Sequence, residues 1–78
     1  MKHFVIAPTM DAYHAITAHF GLEPGACFYC DSLREALTDV ARNRALGLDA
    51  DIWDSTGRLT FPRFERALTN IDARNHAA

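Results

Sequence analysis

The most constraining feature of the chain is a short apolar run that leads directly into a helix start signal, within Gly25–Leu46. Ala26–Cys30 (ACFYC) has the composition of a buried strand, and the apolar spacing that follows predicts a helix over Leu33–Leu46. Ser32 and Glu35 at the junction fit a capping box, in which each side chain accepts a hydrogen bond from a backbone amide of the first turn. This sequence of strand, cap and helix predicts an α/β fold.

A second strand and helix precede this junction. His3–Ala7 (HFVIA) is an apolar run with β-branched residues that ends at Pro8, so we expect a strand buried on both faces. Thr9 then caps a predicted helix over Met10–Phe20, which Gly21 ends in the usual left-handed position. A helix between two strands usually joins them in parallel.

The last third of the chain predicts a third strand followed by a third helix. Ala50–Trp53 is a weaker strand, and Leu59-Thr60 either pairs back as a short hairpin or leads on. Apolar residues at helical spacing then predict a last helix: Phe61, Phe64, Leu68 and Ile71. We expect one α/β domain over residues 1–78 in βαβαβα order, with a three-stranded, mainly parallel sheet packed with three helices and a frayed tail at 73–78. The hairpin alternative would make the fold α+β.

Size and charge restrict the class of protein. The chain has 78 residues, near the size at which a single core only marginally supports a fold. Its net charge of −2 gives no field that would attract nucleic acid. No stretch approaches the roughly 20 apolar residues that span a bilayer, and the apolar start is too short for a signal peptide. We therefore expect a cytoplasmic protein that binds neither nucleic acid nor membranes.

Cys27-Phe28-Tyr29-Cys30 resembles the Cys-Pro-Tyr-Cys motif of glutaredoxins in its two cysteines and its tyrosine. The resemblance implies a dithiol oxidoreductase whose first cysteine lies at a helix N-terminus. Here Phe28 replaces the proline, and the helix start signal at Ser32 lies five residues after Cys27. In a strand the two Cα atoms would be about 10 Å apart on opposite faces, beyond the roughly 7 Å that a disulfide tolerates. Two buried thiols are therefore the favoured interpretation, with a dithiol oxidoreductase as an alternative function.

Two possible metal-ligand patterns are incomplete. His14 and His19 are five residues apart, so on a helix they do not share a face. Asp54–Thr60 resembles the middle of an EF-hand calcium loop, but Ile52 and Arg63 stand where that loop carries a carboxylate and a glutamate. The sequence therefore predicts no metal ligands, no cofactor and no catalytic residues.

Polar residues follow each predicted strand, where the carboxyl ends of a parallel sheet meet. They are Thr9, Asp31, Ser32, Asp54, Ser55 and Thr56. Ligands of parallel α/β sheets bind beyond these ends. The same residues also suit helix caps and turns, so a ligand-binding domain at this edge is a second alternative.

The leading functional prediction is a small non-enzymatic protein-binding module, acting as an inhibitor or as a regulatory or adaptor protein, including the phage or mobile-element type. Stand-alone domains of this size commonly have such roles. Aromatic and arginine side chains anchor protein interfaces, and Trp53 is either an anchor or part of the core. The candidate partner-binding residues are Tyr13, His14, Trp53, Arg58, Arg63 and Arg66. A homodimer is also plausible, because a three-stranded sheet has two edges and a thin core.

Overall fold

A central sheet with one α-helix on each face makes up the fold in the computed structural model, which describes residues 1–59. The sheet has four strands in the order β2-β1-β3-β4, and β1 pairs in parallel with both β2 and β3. In chain order the elements are β1 (Lys2–Ile6), α1 (Met10–His19), a 3₁₀ turn (Pro24–Ala26), β2 (Cys27–Cys30), α2 (Leu33–Ala45), β3 (Ala50–Asp54) and β4 (Gly57–Arg58).

The mixed four-stranded sheet corrects the predicted three-stranded, mainly parallel one. The fourth strand, Gly57–Arg58, runs antiparallel to β3. Gly57 has a φ of +116°, a conformation that glycine adopts without strain. Within the turn, the carboxylate of Asp54 accepts a hydrogen bond from the backbone N–H of Thr56 at 2.8 Å. The chain therefore turns back directly after β3, so the hairpin expected as an alternative at Leu59-Thr60 begins earlier, at Gly57. The N–H of Leu59 continues the pairing by donating to the carbonyl of Ile52 at 2.9 Å, and Thr60 lies outside the described residues.

The described residues contain two α-helices, whereas three were predicted for the whole chain. The predicted last helix, with Phe61 and Ile71 at its ends, and the predicted tail at 73–78 lie outside the described residues. Neither helix within residues 1–59 has the length and apolar character needed to cross a bilayer.

Local signals set the start of both helices. The Thr9 hydroxyl accepts from the N–H of Ala12 at 3.1 Å, and the Ser32 hydroxyl accepts from the N–H of Glu35 at 3.2 Å. The Glu35 carboxylate reaches back to the N–H of Asp31 at 3.1 Å. The capping box is therefore confirmed, except that Glu35 binds the N–H of Asp31, one residue before the cap, instead of the N–H of Ser32 itself. This hydrogen bond holds Glu35 over the end of β2.

The central strand β1 supplies both cores because successive side chains of a strand point to opposite faces. Phe4 packs on the α2 side and Val5 on the α1 side, and both are buried. The α2-side core consists of Phe4, Cys30, Ala36, Leu37, Val40, Ala50 and Ile52. The α1-side core has Val5, Ala7 and Ile16 at its centre, with partly buried aromatic residues around them.

Candidate functional site

Trp53 lies on the α1 side of β3 and packs as a partly buried residue. Its ring centroid lies 5.3 Å from that of Phe20 and 6.1 Å from that of His3, in an edge arrangement with the latter. The indole Nε1 is buried and finds no hydrogen-bond partner among residues 1–59. Trp53 therefore offers a partner only part of its surface, because most of its contacts are made within the fold.

Tyr13 and His14 are neighbours on α1 with different exposures. The Tyr13 ring is half-buried and stands edge-on to Tyr29 at 5.6 Å, whereas His14 is exposed. Burial, together with the nearby cysteine thiols, raises the pKa of the Tyr13 phenol. The other two predicted contact residues, Arg63 and Arg66, lie outside the described residues.

Arg58 takes part in a buried charge network that the sequence analysis missed. His3 and Asp51 are register partners on β1 and β3, and the Nδ1 of His3 lies 2.6 Å from the Oδ1 of Asp51. The Nε of Arg58 lies 3.6 Å from the other carboxylate oxygen of Asp51. Asp51 is only 7% exposed. A buried carboxylate needs such partners, so this network ties β4 to the centre of the sheet.

The two cysteines occupy opposite sides of β2, and both are free. Cys30 is wholly buried in the α2-side core, whereas Cys27 is half-buried. Burial, with the nearby carboxylates, raises the pKa of the Cys27 thiol, and it raises that of Cys30 to about 12. Helix α2 begins at Leu33, beyond both cysteines. Neither thiol has the helix N-terminus position that lowers a pKa in glutaredoxins, so this geometry opposes the dithiol alternative.

Exposed apolar side chains gather at the amino ends of the parallel strands. Met1 is 64% exposed, Phe28 41% and Leu48 44%, and all three line one groove together with Lys2. We call these four residues the amino-end patch. Phe28 stacks on Phe4 at 5.3 Å, and the Nζ of Lys2 lies 5.6 Å from the Phe28 ring centroid. The patch therefore presents an aromatic ring that is already held in place.

A second groove, of about 600 Å³, lies at the opposite end of the sheet, where β1 and β3 finish. The connection through α1 leads from β1 to β2, and the one through α2 returns to β3 on the other side of β1, so this is the point where strand order reverses. We call it the carboxyl-end groove. Its lining residues are Ile6, Ala7, Pro8, Ala12, Ala15, Ile16, Asp31, Asp54 and Ser55.

Three of the six polar residues singled out at this edge line the groove, namely Asp31, Asp54 and Ser55. Two others, Thr9 and Ser32, use their hydroxyls as helix caps. The sixth, Thr56, donates its hydroxyl hydrogen bond to the carboxylate of Asp54 within the turn. The edge is thus a mixture of structural caps and residues that face open space.

Carboxylates crowd together beside this groove, at the end of β2. A side-chain hydrogen bond with Asp31 raises the pKa of Glu35, and the negative charges of Asp31 and Asp39 raise it further. Asp39 lies on α2 one helical turn after Glu35, and it is half-buried. This end of the molecule therefore favours cations over anions.

The chain matches no protein-family model. No curated protein and no solved structure is significantly similar to it. The surfaces and side-chain clusters described above are therefore the observations that bear on its function.

Proposed function

We propose that the protein is a non-enzymatic protein-binding module, acting as an inhibitor, adaptor or regulatory protein, and that the amino-end patch is its contact surface. The observation that carries this proposal is the gathering of Met1, Phe28 and Leu48 around a single groove. A contiguous exposed apolar surface of this kind commonly marks an interaction site. Because Phe28 is already stacked, a partner that covers it loses little entropy in ordering it.

The charges around the patch indicate the chemistry of the partner. Lys2 lies in the patch, and the exposed Arg58 lines the adjoining groove together with Met1 and Leu48. Within residues 1–59, Asp49 is the one carboxylate that lines these two grooves. An apolar centre with a mainly cationic border fits a partner surface that is apolar in the middle and acidic at its edge.

The variants Phe28→Glu and Leu48→Glu are expected to lose the partner, because each places a carboxylate in the apolar centre. We expect at least about a tenfold loss of captured partner, since buried aromatic and aliphatic anchors dominate binding energy. The measurement is affinity capture from the source cells with quantitative mass spectrometry. Met10→Glu is the matched control, because Met10 is 52% exposed at the first residue of α1, away from the patch.

Circular dichroism on each variant shows whether the protein is still folded, so that a loss of binding can be distinguished from a loss of folding. Full recovery of the partner by F28E and L48E, with loss in M10E, would contradict the proposed surface. A mass that rises with protein concentration in light scattering, and that F28E abolishes, would instead identify the partner as a second copy of the chain.

A second candidate function is the binding of a small organic cation in the carboxyl-end groove. The observation that supports it is the position of Asp31 and Asp54 at the border of an apolar groove, at the point where the strand order of the sheet reverses. Ala7, Ala12 and Ile16 would contact the apolar part of such a ligand, and the carboxylates would contact its ammonium or guanidinium group.

Thermal-shift measurements distinguish this candidate. Alkyl amines should raise the melting temperature, whereas carboxylic acids of the same size should not, because only a ligand bound to the folded state stabilises it. The shift should disappear in Asp31→Asn and persist in Asp49→Asn, a carboxylate at the other end of the sheet. Equal shifts in both variants would show that the amine does not bind in this groove.

A further inference from the structure

One thiol and two carboxylates converge where β2 meets α2. The Sγ of Cys30, one carboxylate oxygen of Glu35 and one of Asp39 all lie within 4.8 Å of one another. Cys30 is the last residue of β2, and the two acidic residues lie in the first half of α2. The three side chains belong to neither the amino-end patch nor the lining of the carboxyl-end groove.

The backbone explains why these three side chains meet. Glu35 and Asp39 are four residues apart on α2, so they project from the same side of the helix one turn apart. The hydrogen bond from the N–H of Asp31 holds the Glu35 carboxylate beside the end of β2. Cys30 immediately precedes Asp31, and its side chain lies beneath the helix in the α2-side core. The cluster is therefore built from the same junction that starts the helix.

The state of the thiol is a second, independent observation. Cys30 is wholly buried, it forms no disulfide, and no hydrogen bond to its thiol is seen within residues 1–59. Its sulfur atom nevertheless lies beside two carboxylates rather than in purely apolar surroundings. The Asp39 carboxylate meets Arg42 only across 3.8 Å, and the Arg42 side chain is largely in solvent. Two carboxylates and a buried thiol thus share a place that one divalent cation would satisfy.

We infer that Cys30, Glu35 and Asp39 form a binding site for a divalent cation of the zinc class. Sulfur ligation selects zinc and similar metals over magnesium and calcium, which prefer oxygen ligands alone. The thiol proton passes to solvent when the metal binds, so the bound form carries a thiolate and two carboxylates. Three protein ligands leave a fourth position for water or another ligand.

The geometry is within reach of tetrahedral coordination. Zinc with one sulfur and one oxygen ligand places these two atoms about 3.5 Å apart, from the usual bond lengths. The present separations, up to 4.8 Å, require each side chain to close in by only a short distance. Glu35 is exposed, so a change of its side-chain torsions can supply most of that movement.

The test is a titration of the full-length reduced protein with Co²⁺, followed by competition with Zn²⁺. Cobalt bound to a thiolate gives a sulfur-to-metal charge-transfer band, which carboxylates alone do not give. We expect this band in the wild-type protein and in Cys27→Ala, the matched cysteine control, and its loss in Cys30→Ala. Zinc should displace the cobalt and abolish the band.

The carboxylate ligands are tested with variants that preserve the fold. Glu35→Gln keeps a capping side chain that can still accept the N–H bond, and Asp39→Asn keeps the shape of the side chain. Each should weaken cobalt affinity at least about tenfold, since even residues that only orient a ligand have effects of that size. Glu23→Gln is the control for a remote carboxylate.

Three outcomes would overturn the inference. They are the absence of a charge-transfer band at millimolar Co²⁺, a band that survives in Cys30→Ala, and a band that is lost in Cys27→Ala. If Cys30→Ala proves unfolded by circular dichroism, the combined E35Q/D39N variant decides the question with the thiol intact. Wild-type affinity in that variant would also exclude the site.

Discussion

The variant His3→Phe is expected to lower the free energy of unfolding by about 3 kcal/mol, the cost of removing the hydrogen-bonded partner of a buried carboxylate. Asp51 is 7% exposed, and its close hydrogen bond is the one from the His3 ring at 2.6 Å. Phenylalanine keeps a ring that can pack against Trp53 but has no donor for the carboxylate. Urea unfolding at pH 7, followed by Trp53 fluorescence, measures the change.

A double-mutant cycle separates the lost hydrogen bond from lost packing. The double variant His3→Phe/Asp51→Leu removes the buried carboxylate along with its donor, so it should be more stable than His3→Phe alone. If the effects of the two single substitutions simply add, the His3 and Asp51 side chains are not coupled. That result would contradict the role assigned to the network.

Alkaline pH is expected to destabilise the metal-free protein through Cys30. The pKa of this thiol is raised from 9.0 to about 12 in the folded state, so the unfolded chain releases the proton first. The stability contributed by the buried neutral thiol is therefore complete below pH 9 and is lost as the pH rises toward 12. One proton corresponds to a slope of at most about 1.4 kcal/mol per pH unit.

The comparison of two variants isolates this effect from the other groups that titrate at alkaline pH. In the presence of a chelator, Cys30→Ala should lose stability less steeply than the wild-type protein between pH 9 and pH 12, the interval set by the Cys30 pKa. Cys27→Ala should stay close to the wild-type slope, because Cys27 is only half-buried. Parallel curves for Cys30→Ala and the wild-type protein would show that the Cys30 thiol ionises as readily in the folded state as in the unfolded one.

Features set by neighbouring residues were predictable from the sequence. The starts of α1 and α2 follow from Thr9 and from Ser32 with Glu35, because a cap acts within one turn. The prediction that Cys27 and Cys30 lie in a strand is confirmed, because the apolar run on which it depends is also a local feature of the sequence. The fourth strand was expected only as an alternative, and two residues too late, because a strand of two residues that depends on the unusual φ of Gly57 leaves little signal in the sequence. No hydrophobic alternation can develop over so short a stretch.

The candidate sites were harder to predict because they depend on pairing between distant residues. His3 and Asp51 are 48 residues apart and meet only through the register of β1 with β3. An aspartate within an apolar strand was the available signal of a buried charge. In the sequence Phe28 is part of a cysteine motif, which hides its other role, because a strand at the edge of a sheet often leaves alternate side chains exposed.

The cluster of Cys30, Glu35 and Asp39 was missed for a different reason. A metal-ligand pattern is recognisable in a sequence when its residues recur at regular spacing within one element, whereas these three residues come from the end of a strand and the first half of a helix. The capping box was the signal that could have pointed to it. A glutamate that reaches back over the end of a strand is brought beside the last residue of that strand.

The central place of β1 has a consequence for biosynthesis. β1 leaves the ribosome before the two strands that pair with it, because β2 and β3 are completed only at Cys30 and Asp54. Parallel pairing between distant segments forms slowly because the intervening chain must be ordered first. The nascent chain therefore stays without its sheet until most of the described sequence has emerged, and during that interval the apolar first strand is exposed to chaperones and proteases.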